Sequence, residues 1–197
     1  QGAAIALDNK TGGIRAIVGG RDYQHSKFQR ALFGKRQAGS IIKPFVYACA
    51  FETGSSPNDP VSDDPIQPSE IPARYGRYNP SNSDGTNRGL QPAGIGLIDS
   101  RNTMSVRVGL KAGLDRIADL VARAGINPDP PRYPSICLGA FETSLKDITA
   151  AYTAFATGGT KLQPFLIDRV TNKDGATLYK STRGRLPLMD SGVARTT

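Results

Sequence analysis

Turn-punctuated pairs of short apolar runs stand near both ends of this 197-residue chain, and helical spacing fills the stretch between them. At the start, Ala3 to Leu7 is apolar and Asp8-Asn9-Lys10-Thr11-Gly12-Gly13 supplies turn residues. Ile14 to Val18 then resumes the apolar character before Gly19-Gly20. Toward the end, Phe165 to Val170, Asn172-Lys173-Asp174-Gly175 and Ala176 to Tyr179 repeat the pattern. A sequence that opens and closes on hairpins with helices between them predicts an α+β fold: an antiparallel sheet with helices packed around it. There is no internal repeat.

The first helix is expected from Ser40 to Glu52. Ser40 suits a helix start, and Gly54 follows the end. Pro44 has no N–H to give, so it must lie in the first turn, which again places the start close to Ser40. Gln91-Pro92 opens a short helix to about Ile98, Thr103 to Ala112 a second, and Asp115 to Ala124 a third. Leu114, Ile117, Val121 and Ala124 recur at helical spacing there. Ser144-Leu145-Lys146-Asp147 resembles a capping box with Asp in place of Glu. It precedes the apolar face Leu145, Ile148, Tyr152 and Phe155, and Gly158-Gly159 ends that helix. From Thr53 to Gly89 the chain is rich in Pro, Ser, Asp, Asn and Gly. Ile66, Ile71, Tyr75 and Tyr78 give this stretch anchors, so an ordered insertion running over one surface is expected rather than a linker.

Composition narrows the chemistry. Lys plus Arg number 25 against 17 Asp plus Glu, a net charge of +8. The basic residues are scattered, there is no Trp, and no basic stripe is interleaved with aromatics, so no nucleic-acid partner is expected. One His and two Cys argue against a His-based zinc site and against a disulfide framework. Cys49 sits in an apolar run, and Cys49 and Cys137 are read as buried thiols rather than as a pair. No apolar run approaches the ~18 residues of a membrane span. The chain starts at Gln1 with no initiator Met, basic region or apolar leader, and so reads as a piece of something longer.

Two short motifs carry the polar groups that could do chemistry. In Ser40-Ile41-Ile42-Lys43 a helix would place the lysine on the serine's face one turn on. A serine hydroxyl needs a base to become a nucleophile, and a lysine serves as that base only where burial or nearby positive charge lowers its pKa. The helix start adds free N–H donors for a developing oxyanion. Ser100-Arg101-Asn102 falls in a break between two helical stretches, where polar side chains can point into a cleft. Taken alone, a helix-capping serine with a surface lysine accounts for the first motif and a capping turn for the second.

In context the motifs say more. Gln37-Ala38-Gly39-Ser40-Ile41-Ile42-Lys43-Pro44-Phe45 resembles the nucleophile helix of penicillin-binding transpeptidases. Ser100-Arg101-Asn102, with Val106 and Arg107, resembles that family's second motif, Ser-x-Asn. Ala6-Leu7-Asp8 through Gly19-Gly20-Arg21-Asp22 is similar to the opening hairpin of the bifunctional class A branch. Phe28-Gln29-Arg30-Ala31, Tyr78-Asn79-Pro80-Ser81-Asn82, and Leu138-Gly139 with Ala151-Tyr152-Thr153-Ala154-Phe155-Ala156 fit further family segments. The resemblance runs over nearly the whole chain. It departs at the third motif, Lys-Thr-Gly on an active-site strand, which should follow the second hairpin. Lys10-Thr11-Gly12 spells those letters upstream of the nucleophile, in the opening turn, and is read as coincidence. Residues 1–197 are accordingly expected to be a transpeptidase domain that stops ahead of the third-motif strand.

The resemblance implies a serine β-lactamase/penicillin-binding transpeptidase-like α+β fold and a D,D-transpeptidase that cross-links peptidoglycan stem peptides. Ser40 is then the nucleophile, Lys43 the base in acylation, and Ser100 a proton relay. Asn102 binds the donor carbonyl, and the Ser40 N–H forms half of the oxyanion hole. It also implies acylation by β-lactams, no metal or organic cofactor, and a place outside the cytoplasmic membrane. Membrane contact would come only through an anchor elsewhere in the parent, which would also carry a glycosyltransferase domain. No oligomeric state follows from it. Two alternatives remain open at this point: a serine β-lactamase-like hydrolase, which shares the motif pair, and a non-catalytic cell-wall-binding module that keeps only the fold.

Overall fold

A computed structural model of the protein describes residues 2–197. In chain order the regular elements begin with β1 (Ala4–Leu7), β2 (Ile14–Val18), α1 (Arg30–Phe33), β3 (Lys35–Gln37), α2 (Lys43–Glu52) and β4 (Pro60–Ser62). They continue with β5 (Leu90–Pro92), α3 (Ala93–Ile98), α4 (Asn102–Ala112), α5 (Leu114–Arg123), β6 (Glu142–Ser144) and α6 (Leu145–Ala156). Last come β7 (Thr160–Leu162), β8 (Arg169–Thr171), β9 (Thr177–Lys180), β10 (Arg185–Pro187) and α7 (Ser191–Thr196). They gather into two compact units. One takes in the chain up to Arg36, Ala124–Ile126 and Thr143–Arg195. The other takes in Gln37–Arg123 and Asn127–Glu142, with Thr196–Thr197.

In the first unit β1 and β2 form the expected antiparallel hairpin, with Ala4 opposite Val18 and Ala6 opposite Ala16. Asp8 builds its turn: Oδ1 accepts the N–H groups of Lys10 and Thr11 at 2.9 Å each. Gly12 closes the turn at φ +83°, and a Cβ there would sit 2.6 Å from the Gln163 carbonyl oxygen. The Lys10-Thr11-Gly12 triplet is thus hairpin-turn chemistry. The closing hairpin is shorter than its apolar run suggested. Its strands are β8 and β9, with Val170 opposite Tyr179. Phe165 is drawn elsewhere by main-chain bonds: its N–H donates to the Gly12 carbonyl at 3.3 Å, and its carbonyl accepts the Ile14 N–H at 2.8 Å. A further pair, β7 with β10, carries no sequence signal. These strands are three residues each and pair Leu162 with Arg185 across a long loop, too short to show a period. Ser144 caps α6 as expected, with the Asp147 N–H donating to Ser144 Oγ at 3.1 Å, but the box is only half made: the Asp147 carboxylate accepts the Ser144 hydroxyl at 2.6 Å rather than the Ser144 N–H.

The second unit is built on α2, whose residues are buried from Phe45 to Ala50. A helix apolar on nearly every side belongs at the centre of a unit rather than on its surface. It packs on α4 and α5, which bring Met104, Val106, Val108, Ile117, Leu120 and Val121 into one core. Gly109 permits the close approach: a Cβ there would lie 2.2 Å from Cys137 Sγ. Cys49 and Cys137 are buried free thiols, and burial pushes each up to about 12. The 53–89 stretch is ordered. β4 pairs antiparallel with β5, Ile66 and Ile71 are buried, and the Tyr75 ring meets Tyr133 edge-on at 5.8 Å.

Candidate active site

Ser40 does not cap the helix as its sequence suggested. It lies in a 3-10 turn, Gly39–Ile42, and α2 begins at Lys43 with Pro44 in its first turn. That accommodates the proline, whose missing N–H falls among the groups a helix start leaves unpaired anyway. The Lys43 N–H donates to the Ser40 carbonyl, so the two residues remain one turn apart. The turn is anchored on its far side. Ala38 N–H donates to the Phe141 carbonyl at 2.8 Å and Gly39 N–H to the Gly139 carbonyl at 3.1 Å. Gly139 is at φ +69°, and a Cβ on it would come within 2.3 Å of the Gly39 oxygen. Glycine at 139 is therefore a steric condition for the position of Ser40.

Lys43 is 1% exposed, whereas Ser40 and Ser100 face solvent. The Lys43 Nζ donates to the Ser100 carbonyl at 2.6 Å and to Asn102 Oδ1 at 2.7 Å, and it lies 3.0 Å from Ser100 Oγ. Asn102 Nδ2 donates to the Ser81 carbonyl at 2.8 Å, which turns the amide oxygen toward the lysine. Of the four residues singled out by sequence, the structure therefore joins Lys43, Ser100 and Asn102 directly. The Ser40 hydroxyl stands one turn away and makes no side-chain hydrogen bond among the described residues. Burial, and after it the charge of Arg101, lowers the Lys43 pKa from its ordinary 10.5 to about 8. At that value a substantial share of the amine is neutral near physiological pH. A neutral amine has two N–H bonds and one lone pair. The two carbonyl-type oxygens occupy the N–H bonds, which leaves the lone pair for the Ser100 hydroxyl.

The segment that presents Ser100 and Asn102 is held by residues that carry little or no signal in the sequence. Asn82 is buried. Its Oδ1 accepts the Asn102 N–H at 2.8 Å and so caps α4 from twenty positions upstream. Its Nδ2 donates to Asp63 Oδ1 at 2.9 Å. Asp63 is 0% exposed and also accepts Thr103 Oγ1 at 2.7 Å and Arg101 Nε at 2.9 Å. Burial works to raise the Asp63 pKa, and these hydrogen bonds outweigh it and hold the carboxyl below its usual range. Asn82 had a signal in the Tyr78-to-Asn82 segment. Asp63, between Ser62 and Asp64 in an irregular polar stretch, had none.

An exposed serine one turn ahead of a buried, hydrogen-bonded lysine is the arrangement of a Ser-x-x-Lys acyltransferase. The chain belongs to the penicillin binding protein transpeptidase domain family, whose profile matches residues 2–194. It is 38% identical over 180 residues to penicillin-binding protein 1A of Rickettsia conorii, covering 91% of this chain and 23% of that protein. The chain thus spans about a quarter of the length of that relative. Among solved structures, penicillin-binding protein 1A from Haemophilus influenzae superposes with a TM-score of 0.84 at 31% identity, over 94% of this chain and 28% of that one. PonA1 from Mycobacterium tuberculosis, solved in complex with penicillin V, shares the fold with a TM-score of 0.82 at 24% identity, over 98% of this chain and 52% of that one.

Proposed function

We propose that residues 1–197 form the portion of a D,D-transpeptidase domain that precedes its third-motif strand, and that this domain cross-links peptidoglycan stem peptides through an acyl-enzyme on Ser40. The observation that carries this reading is the set of three oxygens, the Ser100 carbonyl oxygen, Ser100 Oγ and Asn102 Oδ1, within 3.0 Å of the buried Lys43 amine, one turn from the exposed Ser40. Ser40 Oγ attacks the carbonyl between the two terminal D-Ala residues of a donor stem. Its proton passes through Ser100 Oγ to Lys43, or directly to Lys43, as the new C–O bond forms. Ser100 then returns the proton to the departing D-Ala nitrogen as the C–N bond breaks. The amine of a neighbouring stem attacks the ester next. It loses its proton along the same route, and Ser40 leaves as the hydroxyl. Asn102 has one Nδ2 hydrogen beyond the one given to Ser81, and that hydrogen serves the donor carbonyl.

A β-lactam presents the same carbonyl in a ring. Opening the ring leaves the amine tethered, so Ser40 stays acylated. The parent polypeptide is read as extracytoplasmic and membrane-anchored outside this stretch; among the described residues no helix is long and apolar enough to cross a membrane. The test is a time course with a chromogenic β-lactam on the polypeptide extended through its Lys-Thr-Gly strand. The reading expects one equivalent of acylation and then arrest. Sustained turnover would show a β-lactamase. No reaction, with wall binding that survives Ser40→Ala, would show a module that keeps only the fold.

A further inference from the structure

Ser100 is in the left-handed backbone region, at φ +54°. For a residue with a Cβ that conformation is strained, so surrounding contacts must hold it. The next residue supplies them. Arg101 is 3% exposed although fully charged. Its Nε donates to Asp63 Oδ2 at 2.9 Å, its Nη1 to Asp84 Oδ2 at 2.7 Å, and its Nη2 to the Thr86 carbonyl at 2.5 Å. Its main chain is fixed as well: the N–H donates to the Gly96 carbonyl at 2.8 Å, and the carbonyl accepts Ser105 Oγ at 2.7 Å. Asp63 grips the segment a second time through Thr103, so its carboxylate holds the residues on both sides of Asn102. Ser100 and Asn102, the two residues that meet the lysine, therefore flank a side chain that cannot move without moving them.

We propose that Arg101, clamped by Asp63 and Asp84, is a positioning residue: it holds Ser100 in its left-handed turn and so aims the Ser100 and Asn102 oxygens at Lys43. A buried ion pair is poor ground for stability, because desolvating two charges consumes most of what their attraction returns. Its consequence here is conformational. The pair fixes the direction of a three-residue segment that carries two of the polar groups around the amine. The Arg101 charge also stands close enough to Lys43 to favour the neutral amine, in the sense that the reaction needs.

This inference rests on the acylation reading above, and its experiment separates the two. Acylation by a fluorescent penicillin is followed at saturating concentrations in the polypeptide extended through the third-motif strand. This yields the limiting rate, the half-saturating concentration and the final labelled fraction. Arg101→Met is expected to lower the limiting rate by about tenfold or more while the half-saturating concentration stays within about twofold. Arg101→Lys keeps the charge but not the fork, and is expected to recover part of the rate. If Arg101→Met fails to fold, Asp84→Asn takes its place. Asp84 is on the exposed side of the clamp, and its loss is expected to slow acylation by about threefold with Tm unchanged. A limiting rate equal to wild type in the folded variant, or a loss confined to the labelled fraction, overturns the proposal. Wild-type protein that never labels overturns the acylation reading itself, and this inference with it.

Discussion

Lys43 Nζ and Asn102 Oδ1 lie 2.7 Å apart across 59 positions of sequence, and the asparagine amide is held in that orientation by the Ser81 carbonyl. The contact uses one of the amine's N–H bonds in either protonation state, so it orients the lysine without demanding that it be charged. Only the neutral amine can take the Ser40 proton. The pKa is depressed, so the neutral fraction grows as pH rises through about 8 and is complete above it. The acylation rate is expected to climb about tenfold per pH unit below that value and to level off above it. A profile flat from pH 6 to 9 would assign the base role elsewhere.

Asn82→Ala should be felt in stability before chemistry. It removes the cap on α4 and one of the hydrogen bonds to the buried Asp63 carboxylate. A lost cap costs about 1 kcal/mol and an under-solvated buried acceptor about 1–3 more. A chain of this size loses roughly 2–4 °C of Tm per kcal/mol, so a fall of several degrees is expected by thermal denaturation. An unchanged Tm would show the cap to be dispensable.

Gly109→Ala places a methyl 2.2 Å from Cys137 Sγ, inside the α4 contact at the centre of the second unit. Overpacking of this kind costs about 1–3 kcal/mol. Adding Cys137→Ala should return part of the loss, because the offending sulfur is gone. Urea titrations of the two single variants and the double variant read this as non-additivity. Strict additivity would mean that the helix relaxes away from the sulfur.

Tyr47→Phe has the opposite expected sign. Among the described residues, the buried Tyr47 hydroxyl makes no hydrogen bond of ordinary geometry, although the Ser105 side chain lies near enough to act on it. Removing it spares the cost of desolvating an unsatisfied group, so stability should stay level or rise by up to about 1 kcal/mol. A clear loss of Tm would reveal a partner for that hydroxyl.

The helices that build the second unit were legible because each carries its own period: Leu114, Ile117 and Val121 face one core whatever surrounds them. Ser40, Lys43, Ser100 and Asn102 were legible because short-range motifs hold them. The clamp around Arg101 was not. Asp63 reaches Arg101 across 38 positions and Thr103 across 40, through a stretch that has neither helical nor strand spacing to report its path. The pairing of β7 with β10 was hidden for the same reason, as was the diversion of Phe165 to Gly12. Three-residue strands have no measurable period, and their partners are chosen by tertiary contact.

The most direct test of the account is the location of the covalent adduct. The polypeptide extended through its third-motif strand is incubated with a penicillin, digested, and mapped by mass spectrometry at pH 8.5. One equivalent of penicilloyl mass is expected on the peptide containing Ser40, absent from Ser40→Ala and strongly slowed in Lys43→Ala. An adduct on another residue, or undiminished labelling in Lys43→Ala, would contradict it.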